Sequence, residues 1–431
     1  MIVFHGGTVV DFESDTIAEL DIIIEKGKIV DLLRRGEFPA ASDFERIDIT
    51  GLHVMPGFID LHCHLREPGF EWKEDIASGT RAAAFGGFTS VVCMANTDPV
   101  NDNPEITRYI IEQARKAGSV KVLPVASITR NLKGEELTDF GELIESGAVA
   151  FSDDGQPVMN SRIMIRAMDY GKMFDATLIL HEEDAGLSRE GFMNEGEISA
   201  ILGLVGIPSV SEEIMIGRDI LLAEYTGAKI HIAHLSTKRG VELIREAKEK
   251  GISVTAETAP HYLTLTERDV VGYNTRAKMN PPLRTEYDRQ GLIEGIKDGT
   301  IDCIATDHAP HEDLVKNCDF QEAANGIIGF QTAFPLLLET GERCGINMKE
   351  LVKLLSYKPS IILNINGGSI KKKAVADLAI VDTKARYIFQ EDMILSKSKN
   401  SPFIGREMKG KVVMTVVNGK IVYRQERVVV S

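Results

Sequence analysis

The chain has 431 residues, 43% hydrophobic and 26% charged, a composition that places it among ordinary globular proteins and excludes a low-complexity or fibrous one. Its formal charge of -15 excludes a broadly basic surface, and with it nucleic acid as the main partner, because phosphate binding needs clustered lysine and arginine. No apolar run approaches the ~18–20 residues that a membrane span requires, so neither is a membrane expected as partner.

The first residues, MIVFHGGTVVDFESD, show no basic start ahead of an apolar core, so no secretory leader is expected. Next, LDIIIEKGKIVDLL (20–33) reads as two β runs around Lys26-Gly27. From Gly57 the rhythm changes, and eight apolar, β-branched runs follow: FIDLHCHL, TSVVCMAN, VKVLPVAS, AVAFSDD, TLILHEED, KIHIAHLS, SVTAETAPHY and IDCIATDHAP. Helical segments separate most of them. PEITRYIIEQARKAG (104–118) has proline at its start and glycine just past its end, and KRGVELIREAKEKG (238–251) has the same character. After these come ADLAIVDT (376–383) and VVMTVVNGKIVYRQ (412–425), the latter turning at Asn418-Gly419, a strong hairpin signal.

Alternating strand and helix means parallel strands with helical crossovers, and eight such units predict an α/β chain of the (βα)8 TIM-like barrel type. The hairpins at the two ends predict one small composite β-sandwich domain, with residues 1–51 and 374–431 as its two parts and 52–373 as the barrel. The five cysteines (63, 93, 303, 318, 344) are odd in number and lack CxxC spacing. Three of them lie in apolar runs as small hydrophobes, which fits a reducing, cytoplasmic setting.

Each apolar run turns polar at its end, where the active site of such a barrel lies. In GFIDLHCHLREPG, His62 and His64 are two apart on a strand and face the same way, with Cys63 and Leu65 opposite. His181 ends the fifth run, His234 the sixth and Asp307 the eighth. Four imidazoles and a carboxylate exceed one tetrahedral zinc, so the count points to two metals sharing an anionic bridge. The fourth run offers Asp153 and Asp154. No lysine occurs between Lys133 and Lys172, so a modified lysine is excluded and the bridge is one of these two carboxylates. His231, three residues before His234, is read as structural and turned toward the helices. His5 and His53 are read as ordinary and His308 as ambiguous. His261 is placed near the mouth, and His311 on a following loop suited to substrate.

These motifs, DLHCHLREPG with Asn96, FSDDG, LHEED, AHLS, NPPLR and TDHAPH, closely resemble the dihydroorotases of the bacterial-type class I, in the amidohydrolase superfamily. The resemblance runs over essentially the whole chain, and its most specific element is the arginine of HxHxREPG. It implies a zinc-dependent cyclic amidohydrolase interconverting dihydroorotate and N-carbamoyl-L-aspartate in de novo pyrimidine (UMP) biosynthesis. One or two zinc ions are implied, two being favoured. His62, His64 and Asp307 would hold one and His181 and His234 the other, with Asp154 favoured over Asp153 as the shared carboxylate. Asp307 would be the catalytic base and acid. His64, Arg66, Asn96, Asn280, His311, Asn325 and Gly326 match substrate-binding positions, although Asn325 stands where other members often carry a bulky apolar residue. The resemblance leaves open a homo-oligomer and an association with aspartate transcarbamoylase. Two rival functions remain: another cyclic amidase such as allantoinase or hydantoinase, and a non-catalytic scaffold for the transcarbamoylase. The polar segment 310–328 is long for a barrel connection and is expected to fold over bound substrate as a lid.

Overall fold

A computed structural model describes residues 1–37 and 44–425; parts of the two expected terminal segments, 38–43 and 426–431, lie outside the described residues. The eight apolar runs form eight parallel strands in sequence order, here β1 (Phe58–Cys63), β2 (Phe88–Cys93), β3 (Lys121–Ala126), β4 (Ala150–Phe151), β5 (Thr177–Leu180), β6 (Lys229–Ile232), β7 (Val254–Thr258) and β8 (Cys303–Ile304). Ile59, Leu61, Val92, Met94, Val125, Ala150, Ile179, Ala233, Cys303 and Ala305 fill the barrel interior as one apolar cluster. A larger core lies between the strands and the outer helices. The helices start and stop where their sequences say. Asn103 caps Pro104–Ala117 by accepting from Ile106 N, and Gly118 ends it in the left-handed region. Thr237 caps Lys238–Glu249 by accepting from Gly240 N.

Both predicted hairpins are present. Lys26 and Gly27 (φ 50° and 79°), like Asn418 and Gly419 (φ 49° and 73°), place two consecutive residues at positive φ, as a tight two-residue turn requires. The two turns meet each other: a Cβ on Gly27 would lie 2.9 Å from the Asn418 carbonyl oxygen. The ends of the chain join into one sheet through His53–Pro56, which pairs with Leu378–Ile388 on one side and Ile2–Asp11 on the other. Its order is Lys420–Arg424, Glu407–Val417, Leu378–Ile388, His53–Pro56, Ile2–Asp11, Thr16–Glu25 and Lys28–Arg34, with Glu45–Asp48 also paired to Ile2–Asp11. Thr415 ties this sheet to the barrel, its hydroxyl donating to Ala84 O at 2.6 Å.

Between β8 and β1 the barrel closes by a different means. No ladder joins these two strands among the described residues. Beyond their ends, Asp307 N donates to His62 O (3.0 Å) and His64 N to His308 O (2.9 Å). Below them the buried Asp60 carboxylate accepts from Thr306 N (2.8 Å) and Thr306 Oγ1 (2.6 Å), doing the work of the missing ladder bonds. Burial raises the Asp60 carboxyl to about 7, against the pull of the two Thr306 bonds. Asp60→Ala leaves both Thr306 donors buried without an acceptor and should cost about 2–5 kcal/mol of stability in chemical denaturation. Asp60→Asn, which keeps one acceptor, should cost less. A loss of only about 0.5 kcal/mol for the alanine variant, the scale of an ordinary surface substitution, would show that the seam does not rely on this carboxylate.

Candidate metal centre

The polar residues at the strand ends converge at one mouth of the barrel. The register between β1 and β2 shifts between Asp60 and Cys63. Past it, His62 and His64 both reach the centre, while Cys63 donates to Val92 O and packs with Leu65 in the helix-side core. Three mouth residues sit in the left-handed region rarely used by side chains with a Cβ: Arg66 (φ 63°), His234 (φ 32°) and Asp307 (φ 47°). Such conformations cost about 1–3 kcal/mol each and persist only where the surroundings over-determine them.

Asp154 is the centre of the cluster. Its Oδ1 lies 3.3 Å from His62 Nε2, 3.5 Å from His181 Nδ1 and 3.5 Å from His234 Nε2. Its Oδ2 lies 3.5 Å from His64 Nε2. Asp307 Oδ1 approaches His64 Nε2 (3.2 Å) and His62 Nε2 (3.7 Å). Asp153 is turned away, accepting from Ile128 N (2.8 Å), Thr129 N (3.0 Å) and the Thr129 hydroxyl. Of the two carboxylates the fourth run offers, only Asp154 therefore stands among the histidines.

All six groups are buried. Burial opposes ionisation of Asp154 and Asp307, but the surrounding imidazoles outweigh it and hold both carboxyls well below the usual range. Burial likewise opposes charge on His62 and His181, yet Asp154 and its neighbours raise His62 well above its ordinary value and His181 to about 10. The carboxylates thus demand positive charge in a place closed to water. His181 Nδ1 and His234 Nε2 face each other at 2.9 Å, an approach that needs a shared proton or a nearby cation. Nitrogen and oxygen donors so arranged fit metal ions. Two overlapping groups, His62/His64/Asp307 and His62/Asp154/His234, each offer ligand atoms within 4.8 Å of one another.

Three of the four histidines have an acceptor on the ring nitrogen that faces away from the cluster. His62 Nδ1 lies 3.2 Å from Glu257 Oε1, His64 Nδ1 lies 3.0 Å from Asn96 Oδ1, and His181 Nε2 lies 2.8 Å from Glu183 Oε2. Such partners fix which nitrogen carries the proton and leave the other bare. Glu257 and Glu183 are absent from the sequence reading. Glu183 is the middle of three acids that follow His181, which was a signal; Glu257 sits mid-run in TAETAP and gave none. Burial opposes ionisation of Glu257, but His231 and His62 hold its carboxyl down to about 2. His231 does not turn toward the helices as expected. It faces the barrel interior, with Nε2 3.1 Å from Glu257 Oε2 and Nδ1 2.8 Å from Thr255 Oγ1. His308, read as ambiguous, stacks on Phe330 at 4.0 Å, accepts from Gly329 N and lies 3.5 Å from Glu74 Oε2.

A cavity of about 230 Å³ opens over the cluster. His64, Arg66, Asn96, Asn280, His311, Asn325 and Gly326 all line it, with Asp154, His181, His234 and Asp307 at its floor and Gly155 and Ala309 besides. Arg66 Nε donates to Pro310 O (3.2 Å), which orients the guanidinium, and Nη2 meets His311 Nε2 at 3.2 Å. Burial lowers the guanidinium only to about 10, so it stays charged at neutral pH. Burial, and then the Arg66 charge, push His311 down to about 2, which makes it a neutral acceptor on Nε2. Its Nδ1 is then a donor, buried and without a partner among the described residues. Asn280 Nδ2 donates to Glu183 Oε2 at 2.8 Å. A larger hollow of about 670 Å³ lies on the terminal sheet, around Asp48, Asp382 and Lys411, and gathers no histidine. The chemistry lies in the smaller one.

The segment 310–328 lies across this cavity and is pinned there. Lys316 is buried, and its ammonium donates to three carbonyls, Lys278 O (3.2 Å), Ala324 O (2.8 Å) and Gly326 O (3.1 Å). Asn400, which the sequence reading missed, accepts from His311 N (3.0 Å) and donates to Ala309 O (2.9 Å) and Gly326 O (3.1 Å).

An eight-stranded barrel with imidazoles and carboxylates packed at the C-terminal mouth defines a metal-dependent hydrolase of the cyclic-amide type. Among solved structures, L-hydantoinase (dihydropyrimidinase) from Arthrobacter aurescens superposes with a TM-score of 0.87 at 24% identity, over 100% of this chain and 97% of the other. A dihydropyrimidinase from Brevibacillus agri gives 0.83 at 22% identity, over 99% and 96%. These likenesses establish the fold. The family model for dihydro-orotase-like proteins matches residues 51–240. The dihydroorotase of Geobacter metallireducens is 50% identical over 98% of this chain and 100% of its own length, and that of Acetivibrio thermocellus 49% over 99% of each. The chain belongs to the dihydroorotase family.

Burial holds Lys316 below its ordinary 10.5, at about 7, with the Lys278 charge adding to the effect. Between those two values the unfolded chain binds a proton that the folded chain does not, so stability rises with pH there. The cost of burying the charge is full below pH 7 and is relieved toward 10.5. Urea denaturation of the chain and of Lys316→Met at several pH values should show their stability difference shifting in favour of the native lysine as pH rises. A difference that stays flat would mean that Lys316 keeps its ordinary titration.

Proposed function

We propose that this chain opens dihydroorotate to N-carbamoyl-L-aspartate and closes it in reverse, in the cytoplasmic formation of pyrimidines, and that it does so with two zinc ions. One observation carries the reading: a single small cavity joins the charged fork of Arg66 to the cluster of four histidines, Asp154 and Asp307. His62, His64 and Asp307 would hold one zinc and His181 and His234 the other, with Asp154 shared. Bound zinc supplies activation of water near neutral pH and polarisation of a carbonyl.

The remaining work falls to side chains of the chain. Arg66 is suited to the substrate carboxylate because its planar fork matches two oxygens and its charge persists in the buried site. The free Nδ1–H of His311 adds a donor beside it, and Asn96, Asn280, His64 and the backbone at Asn325-Gly326 complete the ring's surroundings. Asp307 takes the proton of the attacking water as the C–O bond forms at the ring carbonyl. It then delivers that proton to the ring nitrogen as the C–N bond breaks. No atom is gained or lost beyond one water, and the reverse sequence closes the ring.

The scaffold alternative requires loss of metal histidines, and here all four surround Asp154. The allantoinase alternative leaves the buried arginine without a carboxylate to meet. Zinc content per chain should be near two, with hydrolysis of dihydroorotate well above that of allantoin or hydantoin. Asp154→Ala should lose metal and activity together, and Asp307→Asn should lower kcat by about 10²–10⁴-fold. Activity surviving Asp154→Ala with one zinc would leave His62/His64/Asp307 as the working centre. Zinc without hydrolysis would favour the scaffold.

A further inference from the structure

We infer that Glu257 and His231 form a buried dyad that holds the ring of His62, which makes Glu257 a positioning residue for the metal centre. The inference rests on the zinc reading above. His62 must present a bare Nε2 to serve as a ligand, because a neutral imidazole carries one proton and the ligating nitrogen cannot be the one that bears it. Nε2 is the nitrogen that faces Asp154 and Asp307 (3.3 and 3.7 Å), and Nδ1 faces Glu257 Oε1 at 3.2 Å. A carboxylate at Nδ1 draws the proton there.

Glu257 is itself held. Its second oxygen lies 3.1 Å from His231 Nε2, and His231 Nδ1 is 2.8 Å from Thr255 Oγ1, on the residue paired with it across β6 and β7. Thr255, His231 and Glu257 are linked between the neighbouring strands β6 and β7, and from there Glu257 reaches across the barrel interior to His62 on β1. His62, His231 and Glu257 are each at most 1% exposed, so water cannot replace a lost partner. The carboxylate oxygens and the facing ring nitrogens sit at ion-pair distance without ideal hydrogen-bond alignment, and they find no other partner among the described residues. The other two supports differ in kind. His64 is backed by a neutral amide, and Glu183 behind His181 is shared with Asn280. The charged, closed support belongs to His62 alone of the three. Cys303 lies close enough to make His231, Glu257 and Cys303 a group of three potential ligands within 4.8 Å. It is the competing explanation for the same side chains.

The test is zinc retention against a graded chelator, for the chain and for Glu257→Gln, with the visible spectrum of the cobalt-substituted forms as second readout. Glutamine keeps the shape and one acceptor but removes the charge. One zinc equivalent should leave at about 10- to 100-fold lower chelator concentration, the second should stay, and the cobalt bands should shift. Wild-type retention with an unchanged cobalt spectrum would overturn the inference. Should Glu257→Gln not fold, His231→Gln, which touches Glu257 but none of the proposed ligands, should weaken zinc in the same direction by a few-fold; unchanged retention there would overturn it too. A third zinc in the native chain that Cys303→Ala removes would replace the dyad with a metal site. No zinc uptake by the native chain would remove the metal reading itself.

Discussion

Everything at the mouth depends on how the barrel closes between its first and last strands. Seven of the eight junctions are ladders that any sequence of apolar strands can make. At the eighth, the chain uses an aspartate on a threonine below, and backbone bonds from Asp307 and His64 above. Those upper bonds hold the very residues that face each other in the cluster. The distance between Asp307 and the His62/His64 pair is therefore set by the same hydrogen bonds that shut the barrel. This explains why Asp307 tolerates a left-handed backbone: its N–H is fixed by His62 O and its side chain by His64.

The second constraint is charge. A buried carboxylate is costly unless cations or donors meet it. Asp154 and Asp307 are met by four imidazoles, and behind these stand Glu257 and Glu183, anions again. The layers run carboxylate, imidazole, carboxylate outward from Asp154, so positive charge held at the imidazoles, as protons or as metal, is flanked by anions on both sides. The chain's overall charge of -15 gives no hint of this order. Locally, Arg66 supplies the single guanidinium lining the cavity, above a floor that is anionic except where protons or metal neutralise it.

Much of this was legible in the sequence, and the reason is periodicity. Apolar runs that end in histidine or aspartate can only be strands delivering those side chains to one mouth, and two-residue turns such as Asn418-Gly419 announce themselves chemically. What escaped lies where periodicity breaks. His231 and His234, three apart, belong on opposite faces of an ideal strand. The strand ends at Ile232, and His234 has a positive φ, so both point inward. Ile230 and Ile232 occupy the helix side instead. Glu257 could not be recognised as functional without its neighbour strand, because its partners come from β1 and β6. Asn400 is still harder to find: it holds the segment 310–328 from 74 and 89 positions away. Spacing along one chain does not encode such a pairing.

The likeness to hydantoinase structures sharpens where specificity must reside. At 22–24% identity these structures superpose over nearly the whole chain, which establishes a shared fold, and a fold by itself does not distinguish one cyclic amide from another. What can distinguish them are the side chains above the cluster and the backbone that aims them. Arg66 reaches the cavity from a left-handed residue, and its guanidinium is tied to Pro310 O beside His311. The segment bearing His311 and Gly326 is in turn fixed from below by Lys316 and from the side by Asn400. The wall of the cavity is thus built from three distant parts of the chain, around Arg66, His311 and Asn400, laid over a cluster that the barrel strands position. The two layers touch through only a few side chains, chiefly Asn96 and His64 on one side and Asn280 and Glu183 on the other. Change in one can therefore leave the other standing.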